Sequence, residues 1–181
     1  MAEIFSFKTI LISVSKIIEV KGGFSMCSFG TDEYMERVVK TCSNSMLRAA
    51  YSVLGSTADA EDAVQDAFLK LIEKKPQFKS KEHEKAWLLR VTINISKNML
   101  KSAARNNLPV TEEIPYSDDK SELLAVVMSL PERYRTVIHL YYFEGYSIKE
   151  TAAILKIPAA TAGTRLARAR ILLKGEISDE L

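Results

Sequence analysis

From residue 31 onward the apolar positions recur at intervals of three and four, the spacing of a buried stripe on an α-helix, and no stretch alternates as a half-buried strand would. The spacing predicts helices at about 31–54, 58–74, 82–104, 120–129, 131–143, 147–155 and 159–174. Between Asn106 and Asp119 the periodicity fades, and Pro109, Pro115 and four acids predict a flexible linker. The expected fold is therefore all-α. Two small helical domains, at 26–104 and 120–177, are joined by an acidic linker at 105–119, and the second is a helix-turn-helix.

Residues 1–25 stand apart from this pattern. Phe7, Ile10, Leu11, Val14, Ile17 and Ile18 fall at helical spacing, so a loose amphipathic helix fits. A signal peptide fits poorly, because Lys16 interrupts the apolar stretch and no small-residue cleavage motif precedes Met26. Lys21-Gly22-Gly23 can be encoded by AAA-GGA-GGN, which contains the AGGAGG string of a bacterial ribosome-binding site, and Phe24 and Ser25 then form the spacer before Met26. Translation is accordingly expected to begin at Met26. The nucleotide sequence tests this, since a Lys21–Gly23 coding stretch without such a string removes its basis.

Three segments carry candidate chemistry. In Asp59–Glu73, Ala60, Val64, Ala67, Phe68 and Leu71 form one apolar face, and Asp62, Gln65, Asp66 and Glu73 the opposite one, with Leu69 in its middle. That face fits either plain solvation or docking of a basic partner with Leu69 as apolar anchor. In Glu84–Lys101, Leu88, Val91, Ile95 and Met99 form one apolar stripe and Leu89, Ile93 and Leu100 another, while Arg90, Asn94, Lys97 and Lys101 line the remaining face beside Trp87. Cations and an amide with a neighbouring aromatic suit phosphate contact and base stacking, although Trp87 fits a core position equally well. In the third segment Ser147 and Glu150 make a capping box that opens a short helix with Ile148, Thr151, Ala152 and Leu155 inward. Lys156-Ile157-Pro158 is a turn, and a basic helix follows with Ala162, Leu166, Ala169 and Leu173 buried, the layout of a helix-turn-helix that places its second helix in the major groove.

Composition changes the picture only when charge is resolved along the chain. The net charge of +2 conceals four acids without a base at Asp59–Asp66, ten bases against three acids at Lys70–Arg105, five acids with one Lys at Glu112–Glu122, and five bases without an acid at Lys156–Lys174. Two separated basic segments suggest two contacts with a polyanion. Cys27, Cys42, His83 and His139 are too scattered for a disulfide framework or a four-ligand zinc site, so no cofactor or metal is expected, and His139 reads as a packed residue. An enzyme is not expected either, because no acid, base and nucleophile constellation and no Gly-rich phosphate loop occurs. No apolar run reaches the ~18 residues of a membrane span, and the cysteine usage suits a reducing cytoplasm.

Over residues 31–175 the chain resembles the extracytoplasmic-function (ECF) group of bacterial RNA polymerase sigma factors. Asp59-Ala-Glu-Asp-Ala-Val-Gln-Asp-Ala-Phe-Leu69 is similar to the family's region two helix, Ala86-Trp-Leu-Leu-Arg-Val-Thr-Ile-Asn94 to its promoter-melting helix, and Leu130-Pro-Glu-Arg-Tyr-Arg-Thr-Val137 through Arg165-Leu-Ala-Arg-Ala-Arg170 to region four. The resemblance implies a non-catalytic subunit that binds core RNA polymerase, recognises the minus-10 and minus-35 promoter elements and directs transcription initiation. It further implies core binding by Asp62, Gln65, Asp66 and Leu69, and minus-10 contact by Trp87, Arg90, Asn94, Lys97 and Lys101, with a base captured near the preceding loop. Minus-35 contact falls to Lys149, Thr161, Thr164, Arg165 and Arg168, and an anti-sigma factor is implied as a partner.

The recognition helix departs from the family pattern. Ala159 and Gly163 stand where a longer polar residue and a basic residue are often found. Neither reaches a base edge, so minus-35 recognition is expected to rest on phosphate contacts and DNA shape. Asn98 and Lys101 replace the more usual Asp and Arg. Two other functions fit parts of the pattern: a stand-alone helix-turn-helix regulator, which binds duplex without polymerase, and a sequestering protein, which binds polymerase or a regulator and supports no transcription.

Overall fold

The computed structural model describes residues 32–105 and 121–179. Its helices are α1 (Asp32–Leu54), α2 (Thr57–Lys74), α3 (Lys81–Arg105), α4 (Ser121–Ser129), α5 (Glu132–Ile138), α6 (Ile148–Leu155) and α7 (Ala159–Asp179), with a π-helical turn at His139–Phe143. No strand occurs among the described residues. The expectations for residues 1–25 and for the acidic linker fall on residues outside those described.

Local chemistry sets the joints. Gly55 ends α1 at φ 72°, a left-handed conformation that costs glycine nothing, and its N–H donates to the Tyr51 carbonyl. Ser56 then caps α2 by accepting from the Asp59 N–H. At the far end Lys75 takes the left-handed position, and Pro76 prevents continuation. The α1–α3 unit closes over Val38, Val39, Met46, Val53, Val64, Phe68, Leu71, Leu88, Leu89 and Ile93, all essentially inaccessible to water. Thr92 and Ser96 are buried on α3 because each hydroxyl donates back to the carbonyl one turn earlier.

The capping box is present as expected: the Ser147 N–H donates to Glu150 at 2.9 Å, and the Glu150 N–H to Ser147 Oγ at 3.3 Å. Lys156 closes α6 in the left-handed region, the Ile157 N–H reaches back to the Ala152 carbonyl, and α7 leaves at an angle to complete the helix-turn-helix. Ala162, Leu166 and Ala169 are buried, and Leu173 packs on the core.

Two local expectations are corrected. Ile148 is 37% exposed even though its Cγ2 approaches Gly163 of α7, and Ile154 takes the inward place instead. The single helix expected at 131–143 breaks at Ile138 into the π-helical turn, where the Glu144 N–H donates to the His139 carbonyl and the Tyr146 N–H to that of Leu140. The widened turn, with Gly145 at φ 75°, directs Tyr142 and Phe143 outward and Glu144 inward. The carboxy-terminal helices pack on the amino-terminal unit chiefly through α5 on α1 and α6 on α3. No helix among the described residues is long and apolar enough to cross a membrane.

Candidate nucleic-acid interface

The buried face of α2 consists of Ala60, Ala63, Val64, Ala67, Phe68 and Leu71, so the helix must turn Asp62 and Asp66 to water, with Gln65 and Leu69 half-buried beside them. Packing of α2 on α1 and α3 leaves this acidic ridge as an outer surface.

The basic stripe of α3 is divided. Asn94 and Lys101 are exposed, whereas Arg90 donates through Nη2 to the Ala153 carbonyl of α6 at 2.9 Å, and Lys97 Nζ lies 3.3 Å from Glu132 of α5. Trp87 is half-buried, its ring edge-to-face with Phe78 at 5.7 Å, so it is neither pure core nor a free platform. Before α3 the chain forms a groove of about 340 Å³ lined by Tyr34, Arg37, Phe78, Lys79, Ser80 and Glu84. Glu84 organises its floor: Tyr34 Oη donates to it at 2.6 Å, and Arg37 grips it with both terminal nitrogens at 2.9 and 3.2 Å. Burial, then this hydrogen bond, hold the Tyr34 phenol well above its ordinary pKa.

A second carboxylate ties the two halves together. Glu144, its side chain almost fully enclosed, meets Lys85 at 2.8 Å and Arg48 and His139 at 3.5 Å. Burial alone would raise its pKa, but the neighbouring His139, Lys85 and Ser45 outweigh burial and hold it far below the carboxylate range. Arg135 adds a further tie, donating to the Met128 carbonyl at 2.7 Å and the Val53 carbonyl at 3.3 Å.

On the helix-turn-helix, Lys149 is exposed at the start of α6, and Thr161, Thr164, Arg165 and Arg168 line an open groove of about 370 Å³. The Thr164 hydroxyl donates to the Ala160 carbonyl at 2.8 Å, which leaves it an acceptor and unsuited to donate to a phosphate. Arg133 and Tyr134 form the other wall of the groove, a contribution not expected from sequence. Arg170 is turned away, donating to Tyr142 Oη at 2.8 Å. Among the described residues no cluster of His, Cys, Asp and Glu could hold a metal.

Residues 38–106 match the family description "Sigma-70 region 2", and residues 120–173 match "Sigma-70, region 4". The RNA polymerase sigma-E factor of Streptomyces coelicolor is 30% identical over 151 residues, spanning 78% of this chain and 85% of that protein. The ECF RNA polymerase sigma factor SigW of Bacillus subtilis is 26% identical over 170 residues, spanning 82% and 87%. The "Probable RNA polymerase sigma factor RfaY" of Xanthomonas campestris is 25% identical over 165 residues, of whose length the chain spans 41%. Among solved structures, the sigma factor RpoE in complex with the anti-sigma factor NepR, from Bartonella quintana, superposes with a TM-score of 0.67 at 24% identity, covering 82% of this chain and 98% of that one. CnrH in complex with the cytosolic domain of CnrY superposes at 0.63 and 24% identity, covering 84% and 92%. Both share the all-helical fold. With both regions present in order, and a 30% identical relative matched over most of its length, the chain belongs to the ECF sigma factors of bacterial RNA polymerase.

Proposed function

We propose that this sigma factor docks on core RNA polymerase through the α2 ridge of Asp62, Gln65, Asp66 and Leu69, and directs initiation at promoters contacted at two separate elements. The observation that carries this reading is the separation on one chain of an exposed acidic ridge from two basic surfaces, on α3 and on α7. Polymerase would meet the first, and polyanionic DNA the other two. On α3, Trp87, Arg90, Asn94, Lys97 and Lys101 face the minus-10 element, and the groove beside Phe78 and Ser80 has the size and mixed lining to receive an unstacked base. On the helix-turn-helix, Lys149, Thr161, Arg165 and Arg168 face the minus-35 duplex, with Thr164 in contact only as an acceptor. Site of action is the cytoplasm, where the polymerase works, and an anti-sigma factor is the expected antagonist.

Transcription reconstituted from the purified chain, core polymerase and genomic promoter fragments tests this. Promoter-dependent run-off product is expected, and Asp66→Arg should abolish both core association and product while leaving the helical content unchanged. Sequence-specific duplex binding without core, together with no run-off product when core is added, would point instead to a stand-alone regulator.

A further inference from the structure

Three guanidiniums converge on the groove between α5 and α7, those of Arg133, Arg165 and Arg168. Arg133 comes from the first turn of α5, and the other two come from the recognition helix. Tyr134 sits between them: it is 7% exposed, and its ring lies 4.9 Å beneath the Arg133 guanidinium. Burial pushes that phenol up, and the two arginines more than compensate. No carboxylate lines the groove. Glu132, the acid next in sequence, is occupied by Lys97 and by the Thr136 hydroxyl. None of the three arginines makes an ion pair among the described residues. Like charges brought to one concave surface repel one another until an anion enters.

We infer that this groove seats a phosphodiester of duplex DNA, and that Arg133, outside the recognition helix, is a third cationic contact on the minus-35 backbone. The inference rests on the reading of α7 as the minus-35 surface. A backbone clamp of this kind supplies affinity where Ala159 and Gly163 supply no base contact, and it is indifferent to sequence because phosphates carry none. The groove is open along one side, as a continuous polyanion requires, and the helix that bears it has its main packing on α4, α5 and α6, away from the α1–α3 unit.

The full chain and two fluorescein-labelled 20-base-pair duplexes of unrelated sequence test the assignment by anisotropy across a salt series. Arg133→Ala is expected to lower the slope of log affinity against log salt by about one and to weaken binding about fivefold to tenfold near 0.1 M salt, equally on both duplexes. Arg133→Lys should retain most of the slope. An unchanged slope in Arg133→Ala, with a reduced slope in Arg165→Ala, overturns the α5 contact and leaves the α7 reading standing. Loss on one duplex only assigns Arg133 to base readout and overturns the phosphate assignment. Indifference of both variants removes the minus-35 reading itself, and the inference with it.

Discussion

Lys85 on α3 and Glu144 in the turn before α6 lie 2.8 Å apart across the junction of the two helical units, with the carboxylate nearly enclosed and the ammonium about one-third exposed. The same junction holds Arg90 against the Ala153 carbonyl and Lys97 against Glu132. Two of the five residues proposed to meet the minus-10 element are thus engaged within the chain, and they must exchange partners before they reach DNA.

Glu144→Gln should loosen this junction. The substitution leaves Lys85, Arg48 and His139 facing a neutral amide, at a cost of about 1–2 kcal/mol, below the usual range for a buried pair because Lys85 reaches water. A larger radius of gyration by X-ray scattering is expected, with stronger binding of a single-stranded oligonucleotide by the freed α3 stripe. An unchanged radius would show that apolar packing of α5 on α1 suffices.

The junction should tolerate acidification. Glu144 is held far below its ordinary pKa, so its contribution is complete above the unfolded carboxylate value near 4.5 and declines only as pH falls towards the depressed folded value. Interdomain energy transfer between dyes on α2 and α7 is expected to stay constant from pH 7 to about pH 5. Opening within that interval would assign control of the junction to another group.

Phe68→Ala should destabilise the amino-terminal unit by about 3–5 kcal/mol, because the ring is wholly enclosed and its removal leaves a cavity between the helices. Chemical denaturation followed by circular dichroism measures this, and a loss below about 1 kcal/mol would mean that the three helices collapse to fill the space.

Gly163→Ala should stabilise the chain by about 0.5–1 kcal/mol, since Gly163 lies within α7 and an added Cβ meets only Ile148 Cγ2 at 4.0 Å, an ordinary contact. Gly163→Lys should in addition strengthen duplex binding. A gain in stability without a gain in affinity would separate this face from the DNA.

Cys42 should be inert in the folded protein. It is 4% exposed, and burial raises its thiol pKa, so little thiolate reaches solvent. Peptide-resolved iodoacetamide labelling should modify Cys42 only after denaturant is added.

Periodicity and capping chemistry made most of the fold legible. α6 starts at the Ser147 cap, and the apolar stripe of α2 is the one that is buried. What escaped is tertiary. Glu144 follows three aromatics in a segment that reads as the end of an ordinary helix, and only the π-helical turn, an arrangement without a periodic signature, rotates it towards Lys85. Arg90 and Lys97 are recognisable as a basic stripe, yet their partners are a backbone carbonyl 63 residues away and an acid on another helix. Arg133 escaped because its groove is assembled from two helices separated by the whole of α6.

The unequal placement of α7 and α3 has a temporal meaning. The recognition helix lies outward while the α3 stripe is partly covered, so capture of double-stranded DNA and separation of its strands need not be simultaneous. On the proposed reading, the first needs no rearrangement of the chain, whereas the second waits for Arg90 and Lys97 to leave Ala153 and Glu132. On that reading the chain carries its own order of events, in which holding a promoter comes before committing to it.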